Sequence, residues 1–154
     1  MAPPQLLVVD ADTLAGWRRP SPSRAQLWEA VDDLHRAEPD LTVAVIADAS
    51  LKWALSADER EAIEDDVATG RLVFAPAGCK GGHVGFLAAV VERAEALKIR
   101  TLVLTDARVP GARLTKVRRE GERWIFDLKG TKPVPAGEAP TAGGAPRRRR
   151  RSAA

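Results

Sequence analysis

Four short apolar runs, each stopping at a polar residue or a proline and separated by stretches of helical pattern, leave this chain few folds to choose from. The first, Leu6-Leu7-Val8-Val9, gives way to Asp10, Asp12 and Thr13, and the second, residues 41–47, stops at Asp48. Residues 71–75 form the third, closed by Pro76, and residues 100–104 the fourth, ending in Thr105-Asp106. Short runs that are apolar at successive positions and rich in β-branched residues predict strands buried on both faces.

The intervening stretches have helical spacing. Leu27, Trp28, Val31 and Leu34 mark a helix over about residues 24–36, with Ser23 as its N-cap and Pro39 past its end. Ser56-Ala57-Asp58-Glu59 reads as a capping box opening a second helix, which Gly70 stops; residues 51–55 fit helix or loop. After the glycine loop 78–82, residues Val84, Leu87, Ala88, Val91 and Ala94 line one face of a third helix that ends near Lys98. Strands alternating with helices predict a parallel sheet with right-handed crossovers, a Rossmann-like three-layer α/β domain. Residues 114–129, with a Glu120-Gly121-Glu122 turn, add an edge strand or a small hairpin. Beyond them Pro, Gly, Ala and Arg dominate, so a domain over residues 1–129 is expected to precede a disordered tail over 130–154.

Charge is divided along the same line. Seven cations and one acid from Lys129 onward amount to +6, which leaves −3 for residues 1–128 of a chain whose net charge is +3. The lone Cys79 excludes an internal disulfide and a thiolate metal site, and no apolar stretch approaches the ~20 residues of a membrane span. A reducing, cytoplasmic setting without a secretory leader is the expectation.

In an open α/β sheet ligands bind beyond the carboxyl ends of the strands. Asp10, Asp12, Asp48 and Asp106 come from three strands, yet this topology gathers them at one edge. Hard cations such as Mg²⁺ or Mn²⁺ take oxygen ligands, so these four are the candidate metal set. Asp is also a common cap and turn residue after a strand, which is the bland reading of each.

Several strings within residues 6–128 resemble the NYN family of PIN-like ribonucleases, and its regnase-type branch in particular. They are Leu7-Val8-Val9-Asp10 with Ala11-Asp12-Thr13, Leu41-Thr42-Val43-Ala44-Val45-Ile46, Gly70-Arg71-Leu72-Val73-Phe74-Ala75-Pro76, and Leu102-Val103-Leu104-Thr105-Asp106. The resemblance implies a PIN-like domain whose acidic pocket holds Mg²⁺ or Mn²⁺ and cleaves single-stranded RNA. Asp10 would be the first metal-site aspartate and Asp106 the acid after the fourth strand, both catalytic, while Thr13 stands where the family usually has asparagine. The family's acids at the start of the third helix are absent, since Lys80-Gly81-Gly82-His83-Val84-Gly85-Phe86 stands there. The chain is then a weak nuclease, one that substitutes His83 or Asp12, or a PIN-like module that binds RNA or a protein partner without cutting. A third reading compares Asp10-Ala11-Asp12-Thr13-Leu14 with the nucleophile loop of haloacid dehalogenase-like phosphatases, whose later motifs are missing here.

Contacts to RNA are expected from Thr13, Lys80, His83 and Thr105 around the acids, and from the run Arg147 to Arg151, of which Arg147, Arg148 and Arg149 lie nearest the domain. Trp17 and Trp53, in or beside loops at the acidic edge, are candidates for base stacking, with covering of the core as the alternative. Trp28 and Trp124 read as core, His35 as surface, and Glu64, Asp65 and Asp66 as a solvated helix face.

Overall fold

The structure is a computed structural model that describes residues 4–129 and 133–135. Its elements follow the order β1 (Leu6–Asp10), α1 (Ala11–Ala15), α2 (Arg24–Ala37), β2 (Thr42–Asp48), α3 (Leu51–Ala54), α4 (Ala57–Ala68), β3 (Val73–Ala75), α5 (Gly82–Ala96), β4 (Thr101–Leu104), β5 (Leu114–Thr115), β6 (Val117–Glu120) and β7 (Arg123–Phe126). The first five strands form one sheet in the order β3-β2-β1-β4-β5, with every pairing parallel.

The central strands are buried on both faces, as continuous apolar runs require. Leu7, Val9, Leu102 and Leu104 point to a core shared with Leu27, Val31 and Leu34 of α2 and with Ile63 of α4. Val8 and Val103 point the other way, to Val84, Leu87 and Val91 of α5. Helices therefore cover both faces of the α/β sheet, and residues 114–129 supply both of the expected alternatives, a parallel edge strand β5 and the antiparallel hairpin β6–β7. Trp124 of β7 closes the α2 side of the core. Among the described residues no helix is long and apolar enough to cross a membrane. The tail expected from residue 130, with Arg147, Arg148 and Arg149, lies outside the described residues except at 133–135. There Val134 is buried and exchanges two 2.8 Å backbone hydrogen bonds with Gly111 and Ala112.

The local signals hold with two changes. Ser23 caps α2 by accepting from the Gln26 amide (3.1 Å), and Ser56 caps α4 by accepting from the Glu59 amide (3.2 Å). The Glu59 carboxylate, however, reaches across to the Arg24 amide at 2.8 Å, so half of the capping box serves the start of α2. The second change is Asp66, which is 5% exposed and not part of a solvated face. It receives a bidentate pair of hydrogen bonds from Arg24 (2.7 and 2.8 Å) and one from the Trp28 indole (2.9 Å), while Arg71 stacks 3.8 Å from the Trp28 ring. Burial alone would raise the Asp66 pKa, but the Arg24 and Trp28 hydrogen bonds and the charges of Arg24 and Arg71 hold it below the usual carboxylate value.

A depressed carboxylate stabilises the fold above its unfolded pKa and loses that contribution as pH falls through its folded value. Asp66→Asn is expected to cost about 2 kcal/mol at pH 7, because the one remaining oxygen can still serve Trp28, whereas the new amide NH2 faces an Arg24 donor and the charge paired with Arg24 and Arg71 is gone. Urea unfolding at pH 7 and at pH 3 checks this, and the gap between variant and wild type should narrow at the lower pH.

Candidate active site

Asp10 is the last residue of β1 and the N-cap of α1, and it is 3% exposed. Its carboxylate is held from four directions. Oδ1 accepts from the Asp12 amide at 3.2 Å and faces His83 Nε2 at 2.9 Å. Oδ2 accepts from the Thr105 hydroxyl at 2.7 Å and lies 3.1 Å from that of Thr13. The sheet brings these groups together: Val9 is level with Leu104 on the neighbouring strand, so the next residues, Asp10 and Thr105, share one edge.

His83 arrives from a crossover. Gly81 and Gly82 at φ 78° and 65° turn the chain through left-handed conformations and start α5 above the carboxyl edge. Its Nδ1 is buried and, among the described residues, has no hydrogen-bond partner. Burial alone would lower its pKa, but the bond to Asp10 and the charges of Asp10, Asp12 and Asp48 raise it above the ordinary imidazole value. Gly85 fixes the loop's approach, since an added Cβ there would collide with the Lys80 carbonyl oxygen. Gly85→Ala is therefore expected to push the loop off α5, cost about 2 kcal/mol and displace His83. Thermal unfolding measures the cost, and the pH titration of the His83 ring by NMR should move toward that of a free imidazole.

Asp12 and Asp48 are linked through the backbone. Asp12 Oδ1 accepts from the Asp48 amide at 2.9 Å, and the Asp48 carboxylate turns to the Ser50 amide at 3.2 Å, leading the chain into α3. Burial pushes the Asp12 pKa up to about 6; the Asp48 amide and His83 oppose the rise, whereas the charges of Asp10 and Asp48 add to it. Asp106 is exposed on the same rim and meets Asp10 through one hydroxyl. Thr13 Oγ1 lies 3.1 Å from Asp10 Oδ2 and 3.3 Å from Asp106 Oδ1, and accepts from the Asp106 amide at 3.2 Å. With a single hydroxyl proton, Thr13 can satisfy only one of the two carboxylates at a time.

Asp10, Asp12 and His83 offer ligand atoms that all lie within 4.8 Å of one another. The sequence-derived set is thereby redistributed: Asp10 and Asp12 stay together, His83 joins them, Asp106 stands beyond Thr13, and Asp48 contributes its amide. Two neighbouring carboxylates, one with a pKa raised by burial and by its partner's charge, are the electrostatic situation that a divalent cation relieves. Carboxylate oxygens with one imidazole nitrogen suit Mn²⁺ and, with fewer nitrogen contacts, Mg²⁺. The residues present fit such an ion.

Three other expected contacts are placed as follows. Thr105, buried, donates to Asp10 and accepts from the Ala107 amide at 3.0 Å, so its hydroxyl orients the acid instead of facing a ligand. Trp17 packs edge-on against Trp124 with centroids 5.0 Å apart and covers the core. Lys80 is exposed on the loop that carries His83.

No family model and no curated protein matches the chain. Among solved structures its fold is similar to that of nuclear proteinaceous RNase P 2 (PRORP2) from A. thaliana, at 12% identity and a TM-score of 0.56 over 84% of this chain. The chain spans 30% of the length of that protein chain, and at this identity the likeness bears on the fold alone. The parallel five-stranded sheet, its flanking helices and this likeness together give the chain a PIN-like α/β fold.

Proposed function

We propose that this chain is a divalent-metal-dependent nuclease that hydrolyses phosphodiester bonds of single-stranded RNA, in the manner of the regnase-type branch its strand-tip motifs resemble. The observation that carries the reading is the Asp10–Asp12–His83 cluster at the carboxyl edge of a PIN-like sheet. Mn²⁺ or Mg²⁺, when bound, supplies an activated water and neutralises charge on the phosphodiester. Asp10, Asp12 and His83 would hold the ion, and Thr105 and Thr13 fix the Asp10 carboxylate so that it need not reorganise during the reaction. Asp106, exposed on the rim, is placed to accept a proton from the attacking water. His83 holds its Nε2 against Asp10, ready to turn a nitrogen toward the ion. Lys80, beside it, offers a charge to a substrate phosphate, and the run Arg147 to Arg151 offers several more. A cytoplasmic setting accords with the lone Cys79.

A phosphatase using Asp10 as nucleophile is disfavoured, because that carboxylate is buried and engaged from four directions. The binding-only reading is favoured by the absence of acids at the start of α5. Cleavage of an end-labelled single-stranded RNA in Mn²⁺, compared with excess EDTA, separates the two. Metal-dependent fragments support the nuclease, and intact RNA under both conditions refutes it.

A further inference from the structure

Trp53, Val73 and Leu97 are the large apolar side chains exposed among the described residues, and Trp53, the aromatic one, is 66% exposed. Its ring has a cationic seat. Lys52 Nζ lies 5.1 Å and Arg60 Cζ 5.0 Å from the indole centroid. Arg60 is itself anchored, donating through Nε to the Lys52 carbonyl (3.0 Å) and through a terminal nitrogen to that of Leu55 (3.3 Å) at the end of α3. Lys52 is steadied by Glu64 at 3.5 Å and by the Phe74 ring at 5.9 Å. The indole is thus oriented before any ligand arrives, and the residue stays two-thirds exposed although Lys52 and Arg60 lie over part of its ring.

Its place in the fold matters as much. α3 begins three residues after Asp48, whose amide is bonded to Asp12. Five residues of chain span at most about 18 Å, so Trp53 stands within a short oligonucleotide's reach of the acidic edge.

Resting on the nuclease reading above, we propose that Trp53 is a stacking platform for a base of the single-stranded substrate, with Lys52 and Arg60 meeting the phosphates that flank that base. Every base offers a π-face, so the contact is tolerant of sequence, and an unpaired strand presents that face whereas a duplex does not. The cationic surround favours this occupant, since a nucleic-acid strand brings a phosphate on each side of a stacked base for Lys52 and Arg60 to meet.

The test uses the full chain in EDTA, so that no cleavage occurs, and reads fluorescence anisotropy of a labelled ten-nucleotide RNA and of an abasic oligonucleotide of equal length. Trp53→Ala is expected to weaken RNA binding about tenfold and leave the abasic oligonucleotide unaffected, while Trp53→Phe retains most of the affinity. Equal RNA binding by wild type and Trp53→Ala overturns the proposal, as does an equal loss on both oligonucleotides. A change in oligomeric state with RNA binding unaltered assigns the ring to a protein contact and overturns it too. Because no metal is present, a chain that never cuts RNA can still show base-dependent binding, and an active nuclease can fail to show it.

Discussion

Asp10→Asn is expected to lower Mn²⁺-dependent cleavage of single-stranded RNA by at least about 10²-fold, the loss typical when a metal's environment is broken. The substitution keeps the shape of the side chain and one acceptor oxygen. It removes the charge shared by the cation and by His83, and sets an amide against donors: the Thr105 hydroxyl at 2.7 Å or His83 Nε2 at 2.9 Å. Some stability is lost as well, about 1–2 kcal/mol for the hydrogen bond left unmade. Activity is therefore compared at a temperature where both proteins are folded by circular dichroism. Equal cleavage by the variant and wild type would mean that the cluster around Asp10 is structural only.

Asp12→Asn is expected to do the opposite to stability. A carboxylate whose pKa is raised to about 6 in the fold, against an ordinary 3.8, contributes fully below its unfolded pKa and loses that contribution as pH rises through 6. Two pKa units correspond to about 3 kcal/mol. Asparagine keeps an oxygen for the Asp48 amide and discards the charge, so the metal-free variant should exceed wild type by about 2–3 kcal/mol at pH 7.5 and match it near pH 4. The raised pKa of His83 acts in the same direction, its contribution fading as pH rises, and it is smaller in Asp12→Asn because the Asp12 charge is one of its causes. Mn²⁺ should then stabilise wild type and leave Asp12→Asn little changed, since the cation lowers the cost of that charge only where the charge exists. Thermal unfolding at the two pH values, with and without Mn²⁺, gives all four comparisons. A less stable Asp12→Asn at pH 7.5 would contradict the electrostatics proposed for the site. A residue that weakens the resting fold at the pH of action is the signature of a site kept for binding.

The strands were legible because burial on both faces writes itself as uninterrupted apolar runs, and Asp10, Asp48 and Asp106 were legible because those runs end abruptly. Parallel pairing then puts the carboxyl ends of all these strands on the same side of the sheet, which is why acids 96 positions apart in sequence (Asp10 and Asp106) are expected on one edge. What local pattern could not supply is the partner of each polar group. Asp66 reads like its neighbours Glu64 and Asp65; only Arg24, 42 residues away, makes it a buried ion pair. A faint signal did exist, since Asp66 stands three residues after Ile63 and shares its buried face. His83, which sequence offers as a contact to RNA or a substitute for missing acids, sits against Asp10 because two left-handed glycines steer it there. Thr105 looked like the polar end of a strand, whereas its hydroxyl is consumed in orienting a carboxylate. Trp17 and Trp53 both follow strand-end acids and looked alike; packing on Trp124 separates them.

The central claim is that Asp10, Asp12 and His83 together hold one divalent ion. Titration of Mn²⁺ into the full chain at pH 7.5, followed by electron paramagnetic resonance of the free ion, tests it most directly. The expected result is one equivalent bound by wild type, with affinity reduced at least about tenfold in Asp12→Asn. Mn²⁺ that stays free in the presence of wild type, or binds both proteins equally, would contradict it.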